Sequence, residues 1–281
     1  VNNIFLLYNY LQLKEKFMER IAILSDVHGN LTALRAVLSD IERRGIKKIF
    51  CLGDSVIKCA NPDKVIDLLR KKCEVILLGN CDEIICRPGI EYGRFWSRDR
   101  IGEERAKFIY NCPVSYEFYL SGHLVRLFHA SPFSLEHIFN PMYPNSDTIY
   151  FNKIISNPED LFKNTEFLGK TENDPIPDVI GYGHLHTPSI FRFKNKTIFN
   201  VGSVGVPVEM SNEGEEDETS KFSTMASYMI LEGELDSKKL SSICFTLVRL
   251  PYNIEKEIEY LKDSDMPNKE IIIQSLRTAN H

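Results

Sequence analysis

Residues 21–30, IAILSDVHGN, decide the fold. Their first four residues are apolar and predict a short buried strand, and the polar turn that follows ends at Asn30, which can cap a helix. Two more strands of this kind are predicted at residues 48–52 and 75–78, with a helix between them that begins at Pro62. Because strand and helix alternate, we expect parallel pairing with right-handed crossovers.

Later segments predict a second sheet packed on the first. Residues 116–120 and 124–128 predict a β-hairpin, and residues 133–177, rich in Pro, Asn and aromatic residues, predict loops and short helices. Further strands are expected at residues 179–181, 189–193, 197–201, 226–231 and 243–250. Helices are expected at residues 100–110, 252–261 and 269–276, the last two ending the chain.

The predicted domain organisation is simple. Residues 1–17 form an N-terminal extension, either a surface appendage or a segment upstream of a natural start at Met18, and residues 18–281 form a single domain. The apolar patch at residues 4–8 is too short to cross a membrane, and no signal peptide is recognisable. Residues 211–220, SNEGEEDETS, predict a solvated acidic loop.

Charge and cysteine content limit the expected partners and compartment. The chain has 34 basic and 39 acidic residues, a net charge of −5, and no basic stripe, so we do not expect a nucleic acid or a membrane as partner. Its seven cysteines are scattered and form no CxxC pair, which indicates a reduced, cytoplasmic protein. The sequence leaves the oligomeric state open, a homodimer included.

Potential metal ligands follow five predicted strands. Each lies in a short polar turn, most of them containing glycine, and a single such turn would be a weak signal. Together they give a mixed set of carboxylate, amide and imidazole ligands in a regular order along the chain. The seven residues are Asp26, His28, Asp54, Asn80, His129, His184 and His186.

The residue types suit two adjacent divalent ions. Asp54 has two carboxylate oxygens and can bridge two ions roughly 3.5 Å apart, while Asn80 adds a neutral oxygen. Mixed imidazole and oxygen ligands favour Mn, Fe or Zn, with Mg less suited. A hydroxide held between the ions would be the nucleophile that attacks phosphorus. The sequence therefore predicts a two-metal hydrolase of phosphate esters.

The order of these motifs resembles that of the calcineurin-like metallophosphoesterase superfamily, over about residues 21–252, and within it the compact bacterial and archaeal branch of phosphatases and phosphodiesterases. The segments that carry the resemblance read DVHGN (26–30), HASP (129–132) and NVGSVGVP (200–207). The resemblance implies an α/β fold built as a four-layer αββα sandwich. Two mixed β-sheets flanked by helices would then hold a dimetal site at the carboxyl ends of the strands.

The resemblance also implies a division of the ligands between the ions. One ion would take Asp26, His28, Asp54 and His186, and the other Asp54, Asn80, His129 and His184. Asn30 would lie near the phosphate, and Gly202 and Ser203 would form a supporting turn under the site.

The segment after Asn80 departs from the family pattern. Many members have a histidine directly after the Asn ligand, paired with the next acid, where it helps to protonate the leaving oxygen; this chain has Cys81 and then Asp82. A thiol with a pKa of about 8.5 can ionise beside two cations and would then be a poor proton donor. We therefore expect Asn80, Cys81 and Asp82 to form the catalytic group, with His123 and His137 as alternative acids.

Substrate-binding residues outside the metal ligands are less well defined. Arg87 is the first candidate because it follows the Asn80 segment, where an arginine could pair with a second phosphate; a solvated loop is the alternative. The further candidates are Arg94, Trp96, Arg98, Phe133 and Tyr143.

Three functions follow as alternatives. The first is a dimetal-dependent phosphodiesterase or nucleotide-type phosphatase that acts on a phosphorylated small molecule or nucleotide. The second is a phosphoprotein phosphatase. The third is a protein-binding scaffold of the same fold with little turnover, as in a retromer subunit that resembles these enzymes and also lacks the histidine. The complete ligand set favours an enzyme.

Overall fold

Two five-stranded β-sheets form the centre of the fold in the computed structural model, which describes residues 18–90, 93, 95–139, 154–209 and 221–278. The first contains β1 (Glu19–Leu24), β2 (Lys48–Cys51), β3 (Val75–Ile76), β11 (Met225–Gly233) and β12 (Cys244–Pro251), in the order β12-β11-β1-β2-β3. The second contains β4 (Ser115–Leu120), β5 (His123–Phe128), β6 (Val179–Tyr182), β7 (Ser189–Phe193) and β8 (Lys196–Asn200), in the order β4-β5-β6-β8-β7. A separate hairpin pairs β9 (Val208–Glu209) with β10 (Lys221–Phe222).

Both sheets are mixed, as the sequence predicts. In the first, β1, β2 and β3 run parallel, whereas β11 and β12 are antiparallel. In the second, β5, β6 and β8 run parallel, and β4 and β7 are antiparallel edge strands. Parallel strands place their carboxyl ends at the same edge of a sheet, so each sheet offers one edge at which polar turns collect.

Helices and short helical turns cover the sheets. The α-helices are α1 (Leu31–Arg43), α2 (Pro62–Lys72), α3 (Asn80–Cys86), α4 (Trp96–Tyr110), α5 (Ile254–Asp263) and α6 (Lys269–Thr278). Two 3₁₀ helices, Pro158–Phe162 and Glu166–Leu168, lie in the region predicted to hold loops and short helices. Within the described residues, no helix has both the length and the apolar character needed to span a membrane.

Strand β1 shows how the layers are packed. Ala22 and Leu24 point into the core that α1, α2 and α4 share with the first sheet. Ile21 and Ile23 point the opposite way, into the core between the two sheets. Since successive side chains of a strand face opposite sides, an entirely apolar strand such as β1 must be buried on both faces. The predicted sandwich of two mixed sheets flanked by helices is confirmed.

The largest local difference from the prediction lies after β3. Residues 75–78 were expected to form one strand, but β3 has only Val75 and Ile76, and α3 begins at Asn80. The Asp82 side chain accepts a hydrogen bond from the Gly79 N–H at 3.4 Å, which caps the first turn of α3. Short-range helix capping therefore ends the strand earlier than its apolar residues suggest.

Some predicted features lie outside the described residues. These are the extension at residues 1–17, the acidic segment 211–220, Arg94, Tyr143 and the central part of the 133–177 region. The expected helix at residues 100–110 begins earlier, at Trp96, and contains a kink at Gly102. The two C-terminal helices form close to their predicted positions and pack through Ile258, Leu261 and Leu276.

Candidate metal centre

The seven predicted ligands meet where the carboxyl edges of the two sheets face each other. Asp26 and His28 follow β1, Asp54 follows β2, and Asn80 begins α3 directly after β3. From the second sheet, His129 follows β5, and His184 and His186 follow β6. The turns that carry them are joined by backbone hydrogen bonds, from the Asp26 N–H to the Gly53 carbonyl at 3.0 Å and from the Gly183 N–H to the His129 carbonyl at 2.8 Å. The structure therefore brings all seven residues together.

Most of these ligands have an unusual backbone conformation. Left-handed φ angles between 50° and 65° occur at Asp26, His28, Asp54, His184 and His186. Residues with a Cβ adopt this conformation rarely, and such strain persists only where the surroundings hold it in place. Strain at so many ligand residues indicates that the conformation of these turns is set by the direction in which the side chains must point.

The first group contains Asp26, His28 and His186, whose ligand atoms lie within 4.8 Å of one another. His28 donates its Nδ1–H to the Val56 carbonyl at 3.1 Å, and His186 donates its Nδ1–H to the Val206 carbonyl at 2.7 Å. Both Nε2 atoms then present lone pairs, yet they face each other at 3.1 Å. Two lone pairs at this distance require a positive charge between them, either a proton or a metal ion.

Asp26 completes this first group. Its Oδ2 atom accepts a hydrogen bond from the His184 N–H at 3.0 Å, while its buried Oδ1 atom accepts none from the described residues and lies 3.2 Å from Nε2 of His186. A buried oxygen of this kind fits a metal ligand. The three side chains thus offer one oxygen and two nitrogen atoms to a common point.

The second group contains Asp54, Asn80, His129 and His184. His129 donates its Nδ1–H to the Leu52 carbonyl at 2.9 Å, so its Nε2 atom is an acceptor. The Asn80 Oδ1 atom lies 3.0 Å from Nε2 of His129 and 3.1 Å from Nδ1 of His184. The acceptor atoms of this group also converge on one point, as metal ligands do.

Asp54 lies between the two groups. Its Oδ1 atom accepts the Cys81 N–H at 2.9 Å, which fixes the plane of the carboxylate. Its Oδ2 atom is 3.7 Å from Nε2 of His28 in the first group and 3.6 Å from Nε2 of His129 in the second. The carboxylate predicted to bridge two ions therefore occupies the position from which it can do so.

The electrostatics favour the protonation states that metal binding needs at Asp26, His28 and His184, but not at His129. Burial raises the pKa of Asp26, but the neighbouring imidazoles, His186 first and then His129 and His28, outweigh it and hold that pKa well below its usual range. Burial lowers the pKa of His28, and burial with the charge of His129 lowers the pKa of His184 to about 3. Carboxylates bind metals when ionised and imidazoles when neutral. Burial lowers the pKa of His129, but the charges of Asp54 and Asp26 outweigh it and raise that pKa, so a metal ion would displace a proton there. The converging oxygen and nitrogen atoms of both groups fit a pair of metal ions.

Asp82 is buried behind the ligands. Its Oδ1 atom accepts the N–H groups of Ser55 at 2.9 Å and Val56 at 3.3 Å, so it holds the turn that carries Asp54. Burial and the charge of Asp54 raise the pKa of Asp82 to about 7. These contacts describe a positioning role, and the catalytic role expected from the sequence stays a prediction.

Asn30 also has its side-chain groups engaged within the protein. Its Oδ1 atom accepts the Ala33 N–H at 2.9 Å, which caps α1, and its Nδ2 atom donates to the Gly205 carbonyl at 2.9 Å and the Tyr252 hydroxyl at 3.3 Å. The sequence correctly predicts the capping role. The contact of Asn30 with a phosphate stays a prediction.

Cys81 lies beside both ligand groups. Its thiol is within 4.8 Å of ligand atoms of His28 and Asp54, and the residue is half-buried. Burial, followed by the charge of Asp54, raises the pKa of the Cys81 thiol well above its usual value. Burial and Asp54 therefore favour the neutral thiol. The ionised thiol expected from the sequence would require the two bound cations.

Three of the other substrate candidates are engaged by partners within the protein. Arg87 donates to Glu83 at 2.7 Å on the exposed side of α3, and Trp96 donates to Asp265 at 2.8 Å. Arg98 is buried and forms an ion pair with Glu103. The rings of Phe133 and His137 lie 6.1 Å apart in the segment after His129, and His123 lies at the start of β5.

Sequence reasoning missed one charged residue near the site, Lys58. Burial and then the charge of Lys58 lower the pKa of His28, and the same charge acts on the pKa of the Cys81 thiol in the lowering direction. Lys58 belongs to no recognisable motif and lies four positions after Asp54 in an ordinary-looking loop. Only the fold shows that this loop turns back toward the ligands.

Comparison with known proteins agrees with this fold. The family model of the calcineurin-like phosphoesterase superfamily domain matches residues 19–219. The uncharacterized protein MJ0912 of Methanocaldococcus jannaschii is 31% identical over 256 residues, which are 88% of this chain and 93% of that protein. A metallophosphoesterase from Sphaerobacter thermophilus has a similar structure, with a TM-score of 0.63 at 21% identity, covering 93% of this chain and 99% of that one.

A second solved structure has the same fold. The hypothetical protein PH1004 from Pyrococcus horikoshii has a TM-score of 0.62 at 17% identity, again covering 93% of this chain and 99% of that chain. The family match spans most of the chain and includes all seven ligands. This chain therefore belongs to the calcineurin-like phosphoesterase superfamily.

Proposed function

We propose that this protein is a dimetal-dependent hydrolase of phosphoester or phosphoanhydride bonds in the cytoplasm, acting on a phosphorylated small molecule or nucleotide. The observation that carries the proposal is the position of the Asp54 Oδ2 atom, 3.7 and 3.6 Å from a histidine nitrogen of each ligand group. Membership of the phosphoesterase family supports it. The mixed imidazole and oxygen ligands favour Mn, Fe or Zn over Mg.

Two divalent ions, when bound, would lower the pKa of a coordinated water and polarise the phosphoryl oxygens. The protein's own groups supply orientation. The backbone carbonyls of Val56, Val206 and Leu52 accept the Nδ1–H groups of three histidines and so fix which nitrogen faces the site. The Cys81 N–H fixes the Asp54 carboxylate in the same way.

The identity of residue 81 favours particular leaving groups. The neutral thiol of Cys81 lies where many relatives have a histidine, and a thiol is a weaker acid than an imidazolium ion. Nucleotides, polyphosphates and aryl esters need little protonation of the departing oxygen, whereas simple alkyl phosphates need more. We therefore propose a phosphodiesterase or nucleotide-type substrate rather than a phosphoprotein. The Cys81→His variant should raise the rate more for poor leaving groups than for good ones.

The test is steady-state hydrolysis by metal-stripped protein reloaded with Mn²⁺. Bis(p-nitrophenyl) phosphate, p-nitrophenyl phosphate and diadenosine tetraphosphate represent a diester, a monoester and a phosphoanhydride. Turnover that disappears in the Asp54→Asn variant supports the two-metal hydrolase, and the preferred compound gives the substrate class.

The same experiment can reject the proposal. If two ions bind and none of the three compounds is hydrolysed, the protein is a scaffold on the phosphoesterase fold. If p-nitrophenyl phosphate alone is hydrolysed, a monoester phosphatase, phosphoprotein phosphatases included, replaces the diesterase or nucleotide-type enzyme.

A further inference from the structure

The segment of residues 200–206 contacts the ligand-bearing turns of both sheets. In the first sheet, the Gly205 N–H donates to the Asp26 carbonyl at 3.0 Å. In the second sheet, Asn200 at the end of β8 donates its side-chain N–H to the Gly183 carbonyl at 2.6 Å, at the start of the turn that carries two histidine ligands. This segment therefore joins the two halves of the metal centre.

Ser203 lies at the middle of this segment with its side chain fully buried. Its hydroxyl donates to the Asp26 carbonyl at 2.8 Å and accepts the Val206 N–H at 2.8 Å. Its own carbonyl accepts the Ser227 N–H from β11 at 3.0 Å. A serine hydroxyl has a single hydrogen to donate, so the two contacts fix its direction. Ser203 thus connects the backbone of one metal ligand to Val206.

Val206 carries this connection to a second metal ligand. Its carbonyl accepts the Nδ1–H of His186 at 2.7 Å, which directs Nε2 of His186 toward Oδ1 of Asp26 at 3.2 Å. Asp26 comes from the first sheet and His186 from the second. The contacts that run from Asp26 through Ser203 and Val206 to His186 therefore set how these two ligands of the first group face each other.

The second ligand group takes its support from other residues. The Leu52 carbonyl accepts the Nδ1–H of His129, and the Cys81 N–H donates to the shared Asp54. Among the described residues, Ser203 forms no hydrogen bond with a ligand of this second group. The two groups are therefore held separately, and a change at Ser203 can act on one ion without the other.

Loss of the Ser203 hydroxyl would leave a buried donor without its acceptor. Val206 is buried, and its N–H has no other acceptor within the described part of the chain. An unsatisfied buried N–H is costly, so the segment would shift toward another partner. The Val206 carbonyl would move with it and would orient His186 less well. Residues that orient metal ligands in this way affect metal affinity although they do not touch the ion.

We propose that Ser203 is a positioning residue for the first ion, because its hydroxyl sets the relative placement of Asp26 and His186 and thereby the affinity of the ion that they share. The proposal rests on the dimetal centre of the proposed function and does not depend on hydrolysis. Ser203 is not itself a ligand, since Asp26 and Val206 engage its hydroxyl.

The test measures Mn²⁺ binding to metal-stripped protein by equilibrium dialysis over a range of free Mn²⁺ concentrations. The wild type should bind two ions. Ser203→Ala should bind one of them about 10–100-fold more weakly and the other within about threefold of the wild type. Equal weakening of both ions, or of neither, would overturn the proposal.

Two ligand variants identify the ion that is affected. His129→Gln removes a ligand of the second group, so its tighter ion reports on the first group. Ser203→Ala combined with it should still weaken that ion by about tenfold or more. His186→Gln leaves the second group intact, and there the added Ser203→Ala should change the tighter ion by less than about threefold. The opposite pattern would place the effect of Ser203 at the second ion and reject the assignment.

Ser121→Ala is the matched control. The Ser121 side chain is also fully buried, and its hydroxyl donates to the Ser242 carbonyl at 2.6 Å and accepts the Glu234 N–H at 2.9 Å. It lies at the opposite end of β5 from His129. Ser203→Ala and Ser121→Ala should both lower the urea midpoint of the metal-free protein, but Ser121→Ala should leave both Mn²⁺ affinities unchanged. Weaker binding in Ser121→Ala as well would attribute the effect to general loss of stability and reject the proposal.

Ser203→Cys provides a graded substitution. Its thiol has a similar size and donates and accepts only weakly. Its affinity for the first ion should therefore lie between those of the wild type and Ser203→Ala. If Ser203→Ala does not fold, Ser203→Cys takes its place in the dialysis, and an unchanged affinity for both ions would reject the proposal.

The outcome for this inference can be separated from that for the hydrolase. Wild-type protein that binds no ion would reject both. Wild-type turnover with two bound ions, combined with unchanged Mn²⁺ affinities in Ser203→Ala, would reject the role of Ser203 alone. A selective loss of the first ion in Ser203→Ala, without turnover in the wild type, would support the role of Ser203 and reject the hydrolase.

Discussion

Two buried clusters of charged groups in this protein differ in how completely they are satisfied. In the second sheet, the fully buried Arg126 donates to Glu117 at 2.6 Å, to the Lys163 carbonyl at 2.9 Å and to Asn164 at 2.5 Å. Lys170 donates to the other oxygen of Glu117 at 2.6 Å. This Arg126 cluster matches every charge with a partner inside the protein.

The metal-ligand cluster has the opposite arrangement. Nε2 of His28 faces Nε2 of His186 at 3.1 Å, and Asp54 directs one oxygen toward a histidine on each side. Acceptor atoms point at other acceptor atoms, which a protein does not tolerate unless a cation is added. We call a cluster closed when each buried charge has a partner within the protein, as around Arg126, and open when acceptor atoms face one another, as among the metal ligands. A closed cluster stabilises the fold, whereas an open one marks a place for a ligand.

The largest expected effect on stability is in the closed cluster. The Arg126→Met variant removes a buried charge and leaves its acceptors without a donor, so we expect a loss of about 3–5 kcal/mol. The loss should be the same with and without Mn²⁺, because this cluster takes no part in metal binding. Urea unfolding of both forms measures it. Arg70→Met, in the exposed pair with Glu104, is the control and should cost less than about 1 kcal/mol. If the loss of stability in Arg126→Met differed with and without Mn²⁺, the Arg126 cluster would not be independent of the metal-ligand cluster.

The open cluster should respond in the reverse way. The His186→Gln variant removes a metal ligand, and we expect Mn²⁺ affinity to fall by at least about 100-fold. The free energy of unfolding of the metal-free protein should fall by less than about 1 kcal/mol, because the change also removes the repulsion between the lone pairs of the two facing ring nitrogens. Metal titration and urea unfolding give the two values, with His123→Gln as the control. A large loss of stability in the metal-free protein would show that the cluster is closed after all.

A substitution at Gly79, next to Asp54, tests how far metal affinity depends on the position of the ligands. A Cβ added at Gly79 would overlap both the Asp54 Oδ1 atom and the Asp54 backbone nitrogen, although the φ of −99° suits an alanine. Gly79→Ala must therefore displace the carboxylate, and Mn²⁺ affinity should fall about 10–100-fold. Gly45→Ala is the control: it meets no atom within 4 Å and is strained only by its φ of +69°. It should cost about 1 kcal/mol and leave metal affinity unchanged.

The smallest expected effect comes from a second closed cluster, around Asp40. Burial raises the pKa of Asp40, but hydrogen bonds from Arg44, Arg43 and Tyr228 outweigh it and lower that pKa to about 2. A depressed carboxyl pKa stabilises the fold above the unfolded pKa of about 3.9, and the contribution is lost as the pH falls toward 2. Asp40→Asn should therefore cost about 2 kcal/mol at neutral pH and much less in acid.

Unfolding in urea at neutral and acidic pH measures the contribution of Asp40. Asp263→Asn, at an exposed position of α5, is the control and should change stability by less than about 0.5 kcal/mol. A cost that does not fall with pH would assign the role of Asp40 to packing rather than to its charge.

Much of the fold could be predicted because its signals are local. The apolar run before Asp26 and the capping side chain of Asn30 lie within one turn of the elements they specify, and β1 and α1 form where expected. The start of α3 at Asn80 was missed because it depends on Asp82, which also accepts N–H groups from the turn after β2. Contacts between distant segments leave no periodic pattern in the chain.

The ligands were predictable as a set, but their arrangement was not. Their residue types and order after five strands point to a metal site before any geometry is known. The left-handed backbone at Asp26, and the pairing of the His28 and His186 Nδ1–H groups with backbone carbonyls, depend on contacts between separate turns. The same holds for the loop of residues 55–59, which is tied to His28 by hydrogen bonds.

The sequence by itself determined the α/β class, the strand–helix order and the seven residues able to bind metal, because hydrophobic periodicity, helix caps and side-chain chemistry are properties of the chain. The tertiary structure decided which of those side chains face one another, that Asp54 lies between two groups, and that Arg87 is engaged by Glu83. Distances between residues far apart in the chain, and the charge each feels, exist only after the two sheets have packed.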